Sequence, residues 1–151
     1  MISENQLSTI LYITKNKLLN NKTLFGSPLK RFINNIYSKF EIPKESFIIS
    51  LYYLFKFYDI NKNNNILINN LCNNINYFII SSIIITLKQL FDDPFDIKQI
   101  CEVLQMNYNK VLDTELLILK GIKWNTHYDN NEFLKFKNRT MEINNIALCV
   151  N

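Results

Sequence analysis

Glycine, proline and histidine are nearly missing from this chain. With 2 Gly and 3 Pro in 151 residues, it lacks the turn punctuation that sandwiches and barrels require, and it offers no glycine loop to cradle a phosphate. The all-α class is favoured by what remains. The single histidine, His127, lies in a polar segment without a serine, cysteine or second histidine in a nucleophile pattern, so it reads as solvent-facing. The patterns G-x-x-x-x-G-K-[ST], G-x-S-x-G and H-E-x-x-H are absent, as is the kinase set. No enzyme is expected, and no cofactor is called for. Cys72, Cys101 and Cys149 are far apart, odd in number and form no C-x-x-C pair, which argues against a disulfide framework or a zinc site and fits a reducing cytoplasm or nucleus.

Long apolar runs are scarce too. The longest, Tyr77 to Leu87, falls short of the roughly 20 residues a membrane span needs. The opening MISENQLSTILYITKNK places an acid and polar residues where a signal peptide needs basic ones, and Thr14 and Lys15 break its apolar stretch. A soluble intracellular protein, cytoplasmic or nuclear, is expected. Lys and Arg total 17 against 13 Asp and Glu, a formal +4, and the excess reads as spread along the chain rather than gathered in a block, so nucleic acid is an unlikely partner.

Apolar side chains are what the sequence has in quantity: 48% of it is hydrophobic and 13% aromatic, enough for one domain with a substantial core. In GSPLKRFINNIYSKF, Ser27 can cap and Pro28 can open a helix whose Leu29, Phe32, Ile33, Ile36, Tyr37 and Phe40 share a face, with Lys30, Arg31, Asn34, Asn35 and Lys39 outward. Pro43 opens a second, KESFIISLYYLFKFY, apolar on nearly every side. The asparagine-rich stretch 59–70, DINKNNNILINN, reads as a loop of low complexity. The third helix starts near Asn73 or Asn74 and runs to about Phe91, and it shows almost no polar stripe before Lys88, which predicts a helix buried all round. A fourth, FDIKQICEVLQM, turns Ile97, Ile100, Cys101, Val103 and Leu104 inward. Asn107 or Asn109 caps a fifth, with Val111, Leu112, Leu116, Leu119 and Ile122 as its apolar face. After Trp124 one more short helix is permitted.

Two clusters invite chemistry. Asp92 and Asp93, adjacent carboxylates before Pro94, read more simply as a helix exit or as caps of the next helix than as an acid-base pair. Asp59, Asn61, Asn63 and Asn65, following Tyr58, are similar to an EF-hand calcium loop. Its sharp turn wants glycine and finds Asn64, and its closing acid is replaced by Asn70.

The order of these segments, with several short motifs, resembles a cyclin box of the single-box P/U type, the phosphate-pathway-like cyclins. Tyr53 to Phe57, YLFKF, is similar to a "YLDRL"-like second helix. NINYFIISSIIITLKQLFDD resembles "NVHRLLLTALLLASKFLDD", with Asn74 on the family asparagine, Ser81 and Ser82 on its small pair and Lys88 on its lysine. VLDTELLILKGIKW resembles "LNxLExxFLxxLxF", with Glu115 on the glutamate and Trp124 on the terminal aromatic, and EFLKF (Glu132 to Phe136) resembles the closing "EEFxxY". The family "HR" becomes Asn76 and Tyr77. Three residues, not the family's usual two, separate Lys88 from Asp92, so Gln89 is the other candidate for the lysine position.

The resemblance implies an all-α five-helix cyclin box over 25–137 with a hydrophobic central third helix, an N-terminal helical extension over 1–24 and a C-terminal tail over 138–151. It implies a non-catalytic subunit that binds and activates a cyclin-dependent serine/threonine protein kinase. In the family the lysine and glutamate, here Lys88 and Glu115, bond backbone of the kinase's regulatory helix, which swings inward and completes the ATP site. The alternatives are a transcription or nucleic-acid-associated module of the same fold, and the calcium-binding protein.

Overall fold

The computed structural model describes residues 35, 36, 39 and 40, then 44–90, 96–127, 129–136 and 138. The chain divides into two compact units, Glu45–His127 and Met1–Lys44 with Tyr128–Asn151. All the regular structure among the described residues is helical.

The first unit is built from α1 (Lys44–Asn61), α2 (Asn65–Asn73), α3 (Ile75–Leu90), α4 (Ile97–Leu104) and α5 (Tyr108–Gly121). Every residue of α3 from Phe78 to Leu87 is buried, and exposure begins at Lys88. The expectation of a helix enclosed on all sides therefore holds. Its emergence into water is already under way at Lys88; Asp92, Asp93 and Pro94 lie outside the described residues. Each enclosed Ile, Leu or Phe contributes about 1.5–3 kcal/mol relative to exposure, which makes α3 a principal source of apolar burial in the unit.

α1 is the second internal helix: Ile48 to Leu54 are all buried, as is Phe57. The Phe57 and Phe78 rings meet at 5.5 Å between centroids, tilted by 58°, a favourable arrangement for aromatic quadrupoles. Phe57 also packs against Gly121, near the end of α5, where a Cβ would run into the Phe57 ring. Asn61 seals this corner, its amide donating to the carbonyls of Phe57 at 2.8 Å and Gly121 at 3.0 Å.

Residues 59–70 correct the loop expected there. α1 continues to Asn61, and α2 begins at Asn65, capped by the Asn64 side chain, which accepts from the Leu67 N–H at 3.2 Å. Asparagine is a poor helix former inside a helix and a good one at its start. Here one asparagine caps while Leu71, fully buried, anchors α2 to the core. α2 and α3 then meet at a bend of 88°, where Asn74 donates to the carbonyl and side-chain oxygens of Asn70 at 3.2 and 2.8 Å.

α4 is capped by Asp96, which accepts from the Gln99 N–H, and buries Ile100 and Cys101. Val103, expected inward, is exposed instead. α5 is capped by Asn107, one of the two asparagines expected there, which accepts from the Lys110 N–H at 3.1 Å. It ends in a Schellman cap: Trp124 N–H donates to the Leu119 carbonyl at 2.8 Å and Lys123 N–H to that of Lys120 at 3.0 Å. The left-handed residues are Lys123 and Trp124, with φ of 57° and 60°. The glycine that usually takes such a position stands two residues earlier, against Phe57.

In the second unit, Phe40 N–H donates to the Ile36 carbonyl at 3.0 Å, Ile36 is buried, and Asn35 and Lys39 are exposed, matching the expected first helix where it is described. The rest of that helix, with Ser27, Pro28 and Pro43, lies outside the described residues. A helical segment α6 spans 130–136, with the Asp129 carboxylate accepting from Asn131 N–H at 3.0 Å.

Two substitutions test this packing. Gly121→Ala gains up to about 1 kcal/mol of helix propensity but forces a methyl into the enclosed Phe57 ring, an overpacking cost of about 1–3 kcal/mol. The clash wins, so the denaturant midpoint should fall; an unchanged midpoint would contradict the packing. Lys123→Gly should raise stability by about 0.5–1 kcal/mol by relieving the left-handed lysine, read in the same titration.

Candidate functional site

Where α3 leaves the core it runs beside α5, and small side chains bring the two helices together. Ser81 and Ser82 are fully buried. The Ser81 hydroxyl donates to the Val111 carbonyl of α5 at 3.1 Å, a contact that a longer side chain would hold apart. Ser82 and Thr86 satisfy their hydroxyls within α3, on the carbonyls of Ile79 at 2.8 Å and Ser82 at 2.9 Å. Nearer the start of both helices, the Tyr77 hydroxyl accepts from the Asn107 N–H at 3.1 Å, and the Lys110 amine sits 4.4 Å from the centre of the Tyr77 ring. Tyr77 thus ties the α5 cap to α3.

Two turns past Ser81, the Lys88 amine meets Glu115 Oε1 at 2.7 Å. Lys88 and Glu115, picked from the sequence as a pair, are side by side. The Lys88 side chain is 53% exposed and that of Glu115 10%. Lys88 occupies the last turn of α3, where the carbonyl ends favour a cation. Gln89, the other candidate for the lysine position, is exposed one residue on. Glu115 is two turns into α5, too far from its free amides to be a first-turn acid; the first turn holds no acid. Its second carboxylate oxygen has no bonded partner among the described residues, and two of the three Lys88 donors are likewise unused.

The buried stripe of α5 is Val111, Thr114, Glu115 and Ile118, continued by Ile122 beyond the helix. The face expected from the sequence is therefore rotated. Val111 and Ile122 belong to it, whereas Leu112 and Leu119 are half-buried and Leu116 is 42% exposed. Two apolar stripes share this helix, and spacing alone does not say which faces inward. Leu112 and Leu119, half-buried, lie about one turn to either side of Glu115, so the ion pair stands beside a partly apolar stripe.

Other candidates do not assemble. The twelve-residue calcium loop is not formed, because only Lys62 to Asn64 separate α1 from α2. Asn61 uses its amide as a donor to two carbonyls, and Asp59 lies 3.8 Å from Lys62 in an exposed ion pair. Among the described residues no group of three or more His, Cys, Asp or Glu is placed to hold a metal ion. His127 is exposed, its carbonyl accepting from the Lys56 amine at 3.4 Å. Among the described residues no single helix is long and apolar enough to cross a membrane.

Compared with protein-family models, with curated proteins and with solved structures, the chain matches none.

Cys101 is buried at 2% exposure, and desolvation pushes its thiol above the ordinary cysteine range. Thiolate is the reactive form, so native Cys101 should resist iodoacetamide at neutral pH and be alkylated on denaturation. Peptide mass spectrometry distinguishes the two states, and equal labelling would show that α4 does not enclose it.

Proposed function

We propose that this protein is a cyclin-like regulatory subunit that binds a cyclin-dependent serine/threonine protein kinase and activates it by positioning the kinase's regulatory helix. On this reading residues 25–137 form the five-helix cyclin box, with α3 as its central helix, preceded by an extension and followed by a tail. The reading rests on the sequence resemblance. The observation that carries it further is the Lys88–Glu115 pair: among the described residues, an amine with unused donors and a carboxylate with an unused oxygen, at the place where α3 leaves the core, beside Leu112 and Leu119.

Such a surface suits a partner helix. Charged groups that are already fixed can bond the free amides and carbonyls at a helix end, with charge-assisted strength. The flanking leucines exclude water around those bonds, which raises their worth. The kinase helix, held against this surface, is kept in the orientation in which its glutamate pairs with the ATP-contacting lysine, and phosphoryl transfer proceeds on the kinase. This subunit contributes position, not chemistry.

The nucleic-acid alternative asks for clustered cations on one face. The unit Glu45–His127, which contains the pair, carries seven lysines against eight Asp and Glu. The basic excess lies outside it, with ten basic residues against five acidic in 1–44 and 128–151. It is thus less evenly spread than the sequence reading had it, and the surface described above has no share in it.

The test separates binding from folding. A half-exposed ion pair contributes about 0–1 kcal/mol, and Glu115→Ala leaves Lys88 able to turn into water, so the variant should fold. Lys88→Ala is the poorer probe, since it strands a buried carboxylate. Affinity purification with mass spectrometry should recover a cyclin-dependent kinase with the parent protein. Glu115→Ala, with unchanged helicity, should lower both co-purification and kinase activation by about tenfold or more, the loss of one buried charge-assisted contact. Undiminished binding by the folded variant would refute the site.

A further inference from the structure

The chain from Leu116 to Tyr128 contains no acid, and within it stand Lys120, Lys123 and Trp124, the only tryptophan. Trp124 is 59% exposed. In Schellman caps the residue at this position commonly packs on the one at the place of Leu119, yet most of this indole remains in water. Neither lysine forms an ion pair among the described residues.

The turn that presents Trp124 is held firmly from beneath. Besides the two cap bonds, Asn125 N–H donates to the Ile122 carbonyl and Thr126 N–H to the Trp124 carbonyl, both at 3.2 Å. Two side chains of α1 reach up to the same turn. Tyr53, itself fully buried, donates its hydroxyl to the Thr126 carbonyl at 2.7 Å. The Lys56 amine donates to the carbonyls of Asn125 at 3.0 Å and His127 at 3.4 Å. These bonds sustain consecutive left-handed residues, each costing on the order of 1 kcal/mol. A large amphipathic ring on a pre-ordered backbone loses little freedom on binding, which is why tryptophan dominates interface energetics.

We infer that the turn Ile122–His127 is a second docking surface, which takes a short acidic peptide segment carrying one apolar side chain. Trp124 receives the apolar group, and Lys120 and Lys123 meet the flanking carboxylates. Charge complementarity selects an anionic partner over a neutral one. The turn presents two exposed rings, Trp124 and His127, too few for single-stranded nucleic acid, which needs a succession of stacking rings along a basic groove, and this selects a peptide. Glu115 lies six residues before the end of α5 at Gly121, about 9 Å at helical rise, and Trp124 lies beyond that end, so this surface is distinct from the Lys88–Glu115 pair and stands whether or not the kinase reading holds.

Fluorescence of the sole tryptophan reads the binding directly. Titrating the full chain with the blocked hexapeptide DEDLDE should give a saturable change that weakens with added salt. The uncharged counterpart NQNLNQ and single-stranded oligothymidylate should bind at least about tenfold more weakly. With a dye-labelled DEDLDE followed by anisotropy, Trp124→Ala and the double variant Lys120→Glu/Lys123→Glu should each lose about tenfold in affinity. The double variant alters only exposed side chains and remains informative if Trp124→Ala unfolds. A flat titration, equal binding of NQNLNQ, tighter binding of oligothymidylate, or unchanged affinity in the double variant would each overturn the inference.

Discussion

The enclosure of α3 sets the terms for the rest of the unit Glu45–His127. A helix buried all round from Phe78 to Leu87 needs apolar neighbours on every face, and every hydroxyl on it needs a partner inside the protein. Its three polar positions obey that rule. Ser82 and Thr86 turn back on their own helix, and only Ser81 reaches across, to Val111. That bond fixes where α5 lies against α3. The two contacts between the helices, Ser81 to Val111 and Lys88 to Glu115, advance in the same direction along both. The ion pair is thus set by a register chosen in the core, two turns deeper.

α1 forms the other wall. Its last turns deliver Phe57 to the face of Phe78 and to the backbone of Gly121, then Asn61 to two carbonyls at that corner. One turn earlier, Tyr53 and Lys56 hold the carbonyls of residues 125–127. The end of α5 is therefore located by α1 and its middle by α3. This division explains a choice that looks odd locally: glycine is spent on close approach to an aromatic ring, and a lysine bears the left-handed cap that glycine would fill more comfortably.

Where one physical signal dominated, the sequence was legible. α3 was readable because continuous apolarity over many residues means enclosure whatever the neighbours are, and α5 began at Asn107 because a cap is a local chemical event. α2 was hidden by asparagine, whose preference for turns outweighed the faint stripe ending in Leu71. The phase of α5 was misjudged because Leu112, Leu116 and Leu119 compete with Val111, Ile118 and Ile122. The β-branched residues lie inward, but that preference is a matter of packing shape against α3, which a single helix does not encode. Val103 failed in the same way at the edge of α4.

The pair itself was visible by resemblance and invisible to periodicity, and the reason bears on what it is for. Periodicity assigns a glutamate to the boundary of an apolar stripe, whereas Glu115 lies within one, between Val111 and Ile118. A carboxylate in that position gives up hydration and recovers a single amine that is half in water, a poor exchange if stability were the only demand. An apolar side chain there would fill the stripe without desolvating a charge. Residues that break a local rule without a compensating gain in the fold concentrate at functional sites. Among the described residues one oxygen of Glu115 and two donors of Lys88 have no bonded partner, and on the reading proposed above a kinase helix completes them.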